Sequence, residues 1–226
     1  MRLTLHSSGT PQKRGAPQFY VRPHATMIRD DLSANLVHLT RGETDQLAAA
    51  AFLSIFESRQ LRGSSRDIRG GSKCVCFSEA PLAKLATVLA TPGNQAMRYK
   101  PFGVMVSKNW LFAAGARPAI YQPDNEFELL CERQQFRHVR YEPGTTDYTW
   151  EREWRLRADA LELNPDHVTL IVPTRAWERW ALKKHANEAR SRNIALQGLA
   201  PIAPFPWHIA VLEDLGVSMP AVEPPQ

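Results

Sequence analysis

The chain has 226 residues, of which 43% are hydrophobic and 23% charged, and its formal net charge is +5 at pH 7. This length suits one domain of ordinary globular composition, which needs no disulfide or metal to stabilise its core. The longest apolar stretch, residues 47–56, is about half of what a membrane span needs, so we expect no membrane partner. The basic charge instead favours acidic partners such as nucleotides or nucleic acid.

The ends of the chain show no clear hydrophobic period. Residues 1–33 are polar with scattered Pro, Arg and Ser, which predicts an irregular N-terminal arm. The proline-rich residues 217–226 predict a flexible tail. We find no internal repeat and no long linker between these ends, so residues 34–216 are expected to form a single domain.

The elements predicted between the two ends do not follow a regular repeat. In chain order we expect a strand at 35–40, a helix at 45–58 capped by Thr44, a loop at 61–72, a strand at 73–78 and a helix opened by Pro81. A strand at 102–107, a helical turn at 109–114, a strand at 118–121 and a helix at 125–136 follow. Strands at 152–157 and 168–172, a long helix from Thr174 to about residue 193 and a short element at 209–215 complete the pattern.

This order predicts a mixed, mostly antiparallel α+β fold. The elements do not alternate as βαβα and no glycine fingerprint follows the first strand, which argues against a Rossmann or P-loop fold. In the helix at 45–58, Leu47, Ala51 and Ile55 fall on one side, which predicts its apolar face.

The three cysteines, Cys74, Cys76 and Cys131, are odd in number and form no C-x-x-C pair. No His/Cys cluster elsewhere completes a zinc set, so no metal site is predicted. Reduced thiols are the expected state, and no apolar run follows the N-terminal basic residues as a secretory signal requires. We therefore expect a cytoplasmic protein.

The first candidate for chemistry is the pair His38 and Thr40. On a strand both side chains point to the same face, while Val37 and Leu39 point to the opposite one. Two polar groups that share a face can line a ligand cleft. The alternative is a histidine and a threonine whose hydrogen bonds are satisfied at a sheet edge.

The second candidate is Ser78, which ends a predicted strand just before Glu79 and Pro81. A serine at a strand end can support a catalytic carboxylate or bind a ribose. The alternative is a helix cap, in which Ser78 or Glu79 accepts hydrogen bonds from first-turn amides. Ser78 is not expected to be a hydrolase nucleophile, because the Gly-x-Ser-x-Gly setting is absent.

The third candidate is the pair of carboxylates Glu151 and Glu153. On a strand both share one face with Arg155, and two carboxylates about 7 Å apart repel each other unless a partner compensates. Such a pair can place one carboxylate on a ribose hydroxyl and the other on an incoming nucleophile. The alternative is a solvated edge strand on which Arg155 pairs with a glutamate.

Basic residues are concentrated in two segments. The loop 59–73 is rich in Gly and Ser, carries one opposing acid, Asp67, and can clamp a pyrophosphate or a nucleic-acid backbone through Arg59, Arg62, Arg66, Arg69 and Lys73. The long helix near the C-terminus also carries many Arg and Lys. There we expect a solvated face balanced by Glu178 and Glu188.

Taken in order, these segments resemble a known family. Residues 38–40 (HLT), 76–82 (CFSEAPL), 102–110 (FGVMVSKNW) and 115–121 (GARPAIY) resemble the abortive-infection proteins of the AbiGi type. Residues 150–155 (WEREWR) resemble the W-x-x-E-x-R ending of related defence-associated families of unknown function. Both groups look like distant members of the ADP-ribosyltransferase superfamily, which includes the DNA-modifying DarT toxins. The resemblance covers residues 35–173.

The resemblance implies an ADP-ribosyltransferase-like core of two mostly antiparallel sheets with flanking helices, which hold NAD in the cleft between them. It implies that His38 contacts the adenosine ribose and that Ser78 supports the site. Glu153 would bind a nicotinamide-ribose hydroxyl and stabilise the positive charge that develops as nicotinamide leaves, while Glu151 steers the acceptor. Tyr121 would stack on the nicotinamide. Thr40, together with Arg66 and Arg69 of the basic loop, completes the predicted NAD site.

The function predicted in this way is an NAD-dependent mono-ADP-ribosyltransferase, a toxin or phage-defence effector that modifies DNA, RNA or a protein. The alternative is a non-catalytic, antitoxin-like binding protein with the same fold. A metal-dependent nuclease ranks last, because no D/E-x-K or His-rich constellation is present. Convergence of His38, Ser78 and Glu153 on one cleft favours the enzyme over the binding protein. Glu79 is a second candidate for the working carboxylate.

Overall fold

The computed structural model describes residues 31, 33–91, 99–195, 198, 203–219 and 222–225. Residues 31–226 form one compact unit. The predicted N-terminal arm, residues 1–33, therefore lies outside the described residues except for Asp31 and Ser33. Within the described residues, no helix combines the length and the apolar character needed to cross a membrane.

The chain forms eleven strands and five α-helices in the part that the structure describes. The strands are β1 (Asn35–Arg41), β2 (Gln60–Arg62), β3 (Cys74–Ser78), β4 (Tyr99–Ser107), β5 (Arg117–Pro118), β6 (Ile120–Gln122), β7 (His138–Arg140), β8 (Glu153–Arg157), β9 (Ala160–Glu162), β10 (Val168–Val172) and β11 (His208–Val211). The helices are α1 (Asp45–Ser58), α2 (Leu82–Ala90), α3 (Lys108–Ala113), α4 (Glu132–Gln135) and α5 (Arg175–Ala195). Short 3-10 helices span Asp124–Leu129, Thr149–Glu151, Pro165–His167 and Leu212–Leu215.

Seven strands form one sheet in the order β11-β10-β4-β1-β3-β8-β5. All neighbours in it are antiparallel except β10 and β11, which are parallel. Two further sheets contain two strands each, β2 with β9 and β6 with β7. The α+β prediction is confirmed, but the expected core of two mostly antiparallel sheets is replaced by a single seven-stranded sheet and two sheets of two strands each.

This sheet is weakly joined along one line, which we call the seam, between β1 and β3. On one side of the seam, β1 pairs with β4 through six opposed residue pairs, and on the other, β3 pairs with β8 through five. Across the seam, β1 and β3 share one opposed pair, Val37 and Ser78. The sheet therefore consists of two well-paired halves that separate beyond this pair.

Helices cover both faces of the sheet. On one face, Phe52 of α1 and Trp177 of α5 pack on Phe102 of β4, with ring centroids 5.7 and 4.8 Å from that of Phe102. On the other face, Leu85 of α2 and Leu212 pack among the aliphatic side chains of Val37, Leu39 and Ile171 on β1 and β10. The alternation of β4 and β10 between these two faces follows the strand period of two.

Helix α1 begins where the sequence predicts, since the Thr44 hydroxyl accepts a hydrogen bond from the amide of Leu47 over 3.2 Å. Its buried side is different from the predicted one. Leu47 is 55% exposed, whereas Ala48, Ala49 and Phe52 are buried. The predicted and observed faces are one residue apart because four of the helix positions are alanine, so the apolar pattern does not single out one side.

The predicted helix at 125–136 is two short pieces. A 3-10 helix spans Asp124–Leu129, and the extended backbone of the next residue, Leu130 (ψ 133°), separates it from α4. Asp124 is the first residue of this 3-10 helix, and Pro123 precedes it at the cap position.

The predicted flexible tail, residues 217–226, is described at 217–219 and 222–225, and Val222 there differs from the prediction. Val222 is buried in the same core as α5, and its carbonyl oxygen accepts a hydrogen bond from the indole nitrogen of Trp177 over 2.6 Å. A buried tryptophan N–H needs an acceptor, and this backbone carbonyl supplies it.

Candidate functional site

A cavity of about 590 Å³ opens at the seam. Small-molecule sites usually have volumes of roughly 300–1,000 Å³, and this cavity lies within that range. Its walls come from β1 and β3, from the loop after β2, from Tyr99 of β4 and from the segment of chain that leads into β8. The cavity exists because β1 and β3 separate beyond Val37 and Ser78.

His38 spans the seam beside this cavity. Its Nδ1 donates to the carbonyl oxygen of Cys76 on β3 over 2.8 Å, and its ring contacts Phe77 edge-on at 5.7 Å. This carbonyl is thus satisfied by a side chain instead of by the β1 backbone. Burial lowers the pKa of His38, and the nearby charge of Arg41 lowers it further. A neutral ring with a proton on Nδ1 leaves Nε2 as an acceptor.

Glu151 is held by a neutral side chain from the other half of the sheet. The hydroxyl of Tyr99 donates to Oε2 of Glu151 over 2.8 Å. Arg41 in turn donates from Nη2 to the Tyr99 hydroxyl over 2.6 Å, with its guanidinium 4.7 Å from the centre of the Tyr99 ring. Burial raises the pKa of Glu151, against the opposing effect of the Tyr99 hydrogen bond, and the charge of Glu153 raises it further.

Glu153, the first residue of β8, is held by a charged side chain. Arg155 donates from Nε to Oε1 over 2.9 Å and from Nη2 to Oε2 over 3.0 Å. The two side chains are 14% and 5% exposed. Arg155 is itself fixed by donation from Nη1 to the carbonyl oxygens of Phe136 and His138, over 2.9 and 2.7 Å. The orientation of the Glu153 carboxylate is therefore determined by a bidentate, largely desolvated ion pair.

Ser78 joins the end of β3 to the segment that carries Glu151. Its hydroxyl donates to the backbone carbonyl of Glu151 over 2.6 Å and accepts from the amide of Ala80 over 3.1 Å. The helix-cap alternative is wrong for this residue, because the residue before α2 is Pro81 and no side chain in the described part of the chain caps that helix. Ser78 instead positions a neighbouring carboxylate residue.

Glu79 does not line the cavity. Its Oε1 accepts from Nζ of Lys108 over 2.7 Å, and its Oε2 accepts from the indole of Trp154 over 2.9 Å. Both oxygens thereby join the end of β3 to α3 and β8. Glu79 is therefore a structural residue in this fold.

The backbone that carries the two glutamates differs from the single strand that was predicted. Glu151 ends a 3-10 helix, Arg152 has a left-handed backbone (φ 46°), and β8 begins at Glu153. The carboxylates are therefore not on one strand face, although Glu153 and Arg155 are. They line the same cavity because the left-handed residue changes the direction of the chain between them.

Three of the predicted cofactor residues lie away from the cavity lining. The Thr40 hydroxyl is buried and donates to the carbonyl of Phe102 over 3.2 Å, which is the satisfied-threonine alternative. The Tyr121 hydroxyl accepts from the amide of Glu153 over 2.8 Å, so it supports the backbone at the start of β8. Nη1 of Arg69 is 2.8 Å from a carboxylate oxygen of Asp124.

The basic loop 59–73 does not act as one clamp. Lys73 is paired with Asp159 over 3.1 Å, and the guanidinium of Arg59 lies 5.9 Å from the centre of the Trp207 ring. Arg62 and Arg66 are exposed and line the cavity. Neither guanidinium has an ion-pair partner among the residues that the structure describes.

The cavity residues that sequence reasoning missed include Arg41, Glu43, Tyr99 and Trp150. Arg41 directly follows the predicted first strand, and its charge was the available signal. Tyr99 lies opposite Arg41 in the β1–β4 ladder, which only the strand pairing reveals. Trp150 precedes the predicted strand at 152–157, and nothing in the local pattern places it at the cavity.

Cys74 and Cys76 also line the cavity, and burial raises the pKa of both thiols. Their thiols are therefore protonated at neutral pH, which makes them poor nucleophiles. Among the described residues, no group of three or more His, Cys, Asp or Glu side chains is arranged to hold a metal ion.

The site defined by these observations is a seam cavity whose wall carries a neutral histidine, three carboxylates and three exposed arginines, namely Glu43, Glu151, Glu153, Arg41, Arg62 and Arg66. Comparisons with protein-family models, with curated proteins and with solved structures find no match for this chain. The function is therefore argued from the site itself.

Proposed function

We propose that this chain is an NAD-dependent mono-ADP-ribosyltransferase and that the seam cavity holds the dinucleotide. One observation carries the proposal: His38, Ser78 and Glu153, singled out on three separate segments of the sequence, meet at one cavity, with Glu151 and Arg66 beside them. A structural histidine, a helix cap and a solvated edge strand would not need to share a cavity.

Glu153 is proposed as the catalytic residue. In the reaction, the bond between the nicotinamide nitrogen and ribose C1′ breaks, and positive charge develops on the ribose as in glycoside cleavage. A carboxylate fixed before the reaction stabilises that charge without reorganising. The Arg155 ion pair and the Tyr121 hydroxyl together fix the side chain and the backbone of Glu153.

Glu151 is proposed to bind and deprotonate the acceptor nucleophile. A general base works best when its pKa is close to the working pH, and burial shifts the pKa of Glu151 in that direction. The Tyr99 hydrogen bond and the Ser78 contact to its backbone hold Glu151 at the cavity wall.

The remaining cavity residues fit the other parts of NAD. The free Nε2 of a neutral His38 can accept a hydrogen bond from a ribose hydroxyl. Arg62 and Arg66, which lack an anionic partner in the described part of the chain, suit the pyrophosphate. Trp150 offers an exposed aromatic face at the cavity for a base. Thr40, Tyr121 and Arg69 are left out of this NAD site.

An ADP-ribosyltransferase-like fold is part of the proposal. The division of the sheet at the seam supports it, since the cleft between two halves corresponds to the place where the resemblance puts NAD. A role as a toxin or phage-defence effector follows from the resemblance to abortive-infection proteins. The acceptor is proposed to be a nucleic acid or a protein.

The second candidate is a non-catalytic binding protein that keeps the cavity. It is favoured by the Glu153–Arg155 pair, because both carboxylate oxygens already accept hydrogen bonds from the guanidinium. Each carboxylate oxygen keeps a further lone pair for a ribose hydroxyl, so the ion pair does not exclude the enzyme.

The test is to incubate the purified protein with NAD labelled on its adenosine side, with and without DNA, RNA and lysate. We expect nicotinamide release and a labelled macromolecule with the wild type. Glu153→Gln should abolish both, and Glu142→Gln, which changes an exposed ion pair with Arg140, should keep both. No release by the wild type in any mixture would favour the binding protein.

Glu153→Gln also removes the partner of a buried arginine, so its fold must be checked by thermal unfolding. Breaking a buried ion pair costs about 3–5 kcal/mol. The double variant Glu153→Gln/Arg155→Gln removes both charges and restores a neutral, hydrogen-bonding pair. A folded double variant that still releases nicotinamide at the wild-type rate would exclude Glu153 as the catalytic residue.

A further inference from the structure

Helix α5 carries most of the net charge of the protein. It contains six basic and two acidic side chains, a net charge of +4 in a chain whose formal net charge is +5. Glu178 and Glu188 were expected to balance this charge, and each of them lies beside a basic residue of the same helix. Glu178 pairs with Arg175 over 2.7 Å, and Glu188 lies 3.4 Å from Lys184, which is also bound by Glu57.

Three of the basic side chains that remain lie on one stripe of the helix surface, Arg179, Lys183 and Arg190. All three are exposed, and none has an anionic partner within the described ranges of the chain. With 3.6 residues per turn, they fall within about 40° of one another around the helix axis. This α5 stripe points away from the buried Trp177 and Ala181, which fix the helix to the core.

The dimensions of the α5 stripe suit a row of phosphates. A rise of 1.5 Å per residue separates Arg179 from Lys183 by about 6 Å and from Arg190 by about 16 Å along the axis. Duplex DNA presents one phosphate charge per roughly 1.7 Å of its own axis, so a stripe of this length faces several phosphates. We propose that the α5 stripe is a docking surface for the phosphate backbone of a nucleic acid, bound without sequence preference.

A lipid surface fits α5 less well. A helix that lies in a membrane interface needs a free apolar face beside its basic one. The apolar face of α5 is occupied, because Trp177, Ala181 and Ala189 are buried against the protein core. Leu182 and Ile194, which are 43% and 73% exposed, flank the stripe as single side chains.

The docking surface goes beyond the proposed function and needs none of its chemistry. None of the residues that line the seam cavity belongs to α5. The surface also differs from the predicted nucleic-acid contact, the loop 59–73, where Arg69 and Lys73 are neutralised by Asp124 and Asp159. Binding can therefore be measured without NAD, and its failure would leave the cavity assignment untouched.

The experiment is fluorescence anisotropy of a labelled duplex of about 20 base pairs of random sequence, titrated without NAD between about 50 and 200 mM salt. One triple variant removes the stripe: Arg179→Gln, Lys183→Gln and Arg190→Gln. The control triple removes the same charge from cations that are ion-paired: Lys73→Gln, Arg140→Gln and Arg175→Gln. Circular dichroism is used to check that both variants are folded. We expect the stripe variant to keep its helix, since glutamine is a good helix former.

We expect the wild type to bind the duplex with an affinity that falls steeply with salt. The stripe variant should bind at least about tenfold more weakly, and its log–log salt slope should be smaller by about 0.9 for each phosphate that it no longer neutralises. The control should stay within about threefold of the wild type. No duplex binding by the wild type, equal losses of affinity in the two triples, or binding only to phosphatidylserine vesicles would each overturn the proposal.

Discussion

Glu151 and Glu153 line the same cavity, but they are held by side chains of different charge. Arg155 binds both oxygens of Glu153, whereas a neutral tyrosine, Tyr99, binds one oxygen of Glu151. Glu151 has no ion pair among the residues that the structure describes, so burial is the largest effect on its pKa and raises it. Two carboxylates whose surroundings differ in this way can take different roles in one reaction.

The raised pKa of Glu151 gives a prediction for stability against pH. The folded state holds this proton more tightly than the unfolded state, so the contribution to stability is present below the ordinary glutamate pKa. It is lost as pH rises through the raised folded value. Glu151→Gln, which can still accept from Tyr99, should therefore gain thermal stability over the wild type as pH rises from about 4 to neutral.

The measurement is the unfolding temperature of both proteins across that pH range. Glu142→Gln is a control of opposite sign, because the Arg140 hydrogen bond lowers the pKa of Glu142 and its removal costs stability at neutral pH. A difference between Glu151→Gln and the wild type that stays constant with pH would contradict the account.

At the scale of elements, Gly103 allows β4 and β1 to pack closely behind His38. A Cβ on Gly103 would lie 2.0 Å from the carbonyl oxygen of His38 and 2.9 Å from Cα of Leu39. Both neighbours are backbone atoms, so the strands must shift to accept a side chain. We expect Gly103→Ala to lower the free energy of unfolding by about 1–3 kcal/mol, measured by urea denaturation. A change below about 0.5 kcal/mol would contradict this packing.

The C-terminal segment gives a second prediction at this scale. Truncation after Gly216 removes Val222 and leaves the indole N–H of Trp177 without its acceptor. A buried donor that loses its partner costs about 1–3 kcal/mol, which lowers the unfolding temperature by about 2–4 °C per kcal/mol at this chain length. Truncation after Pro224 keeps Val222 and should leave the unfolding temperature unchanged. Equal unfolding temperatures for the two truncated proteins would refute a structural role of the tail.

Local sequence pattern was sufficient for much of the fold. The strand Val168–Val172 and the helix Asp45–Ser58 have the predicted bounds, because an apolar run and a threonine cap are encoded within a few residues. The buried side of α1 and the two-piece structure at 124–135 were not predicted. Both features depend on the elements that pack against these segments, and the local hydrophobic period does not show which elements those are.

The site was predictable only where local sequence determines it. His38, Ser78 and Glu153 lie on strands that the sequence marks, whereas the bond between Tyr99 and Glu151 joins residues that are far apart in the chain. The seam depends on which strands are neighbours, and so does the contact of Arg41 with Tyr99. Strand order is a non-local property, and the single-sequence pattern does not specify it.

At the scale of the whole molecule, the central claim is that the two halves of the sheet separate at the seam to hold NAD. The most direct test is a calorimetric titration of NAD into the wild type and into the double variant Arg62→Gln/Arg66→Gln. We predict saturable binding of one NAD per chain to the wild type. The double variant should bind at least about tenfold more weakly, since a hydrogen bond to a charged group contributes about 1.5–3 kcal/mol. Absence of binding to the wild type, or equal affinity of the two proteins, would contradict the account.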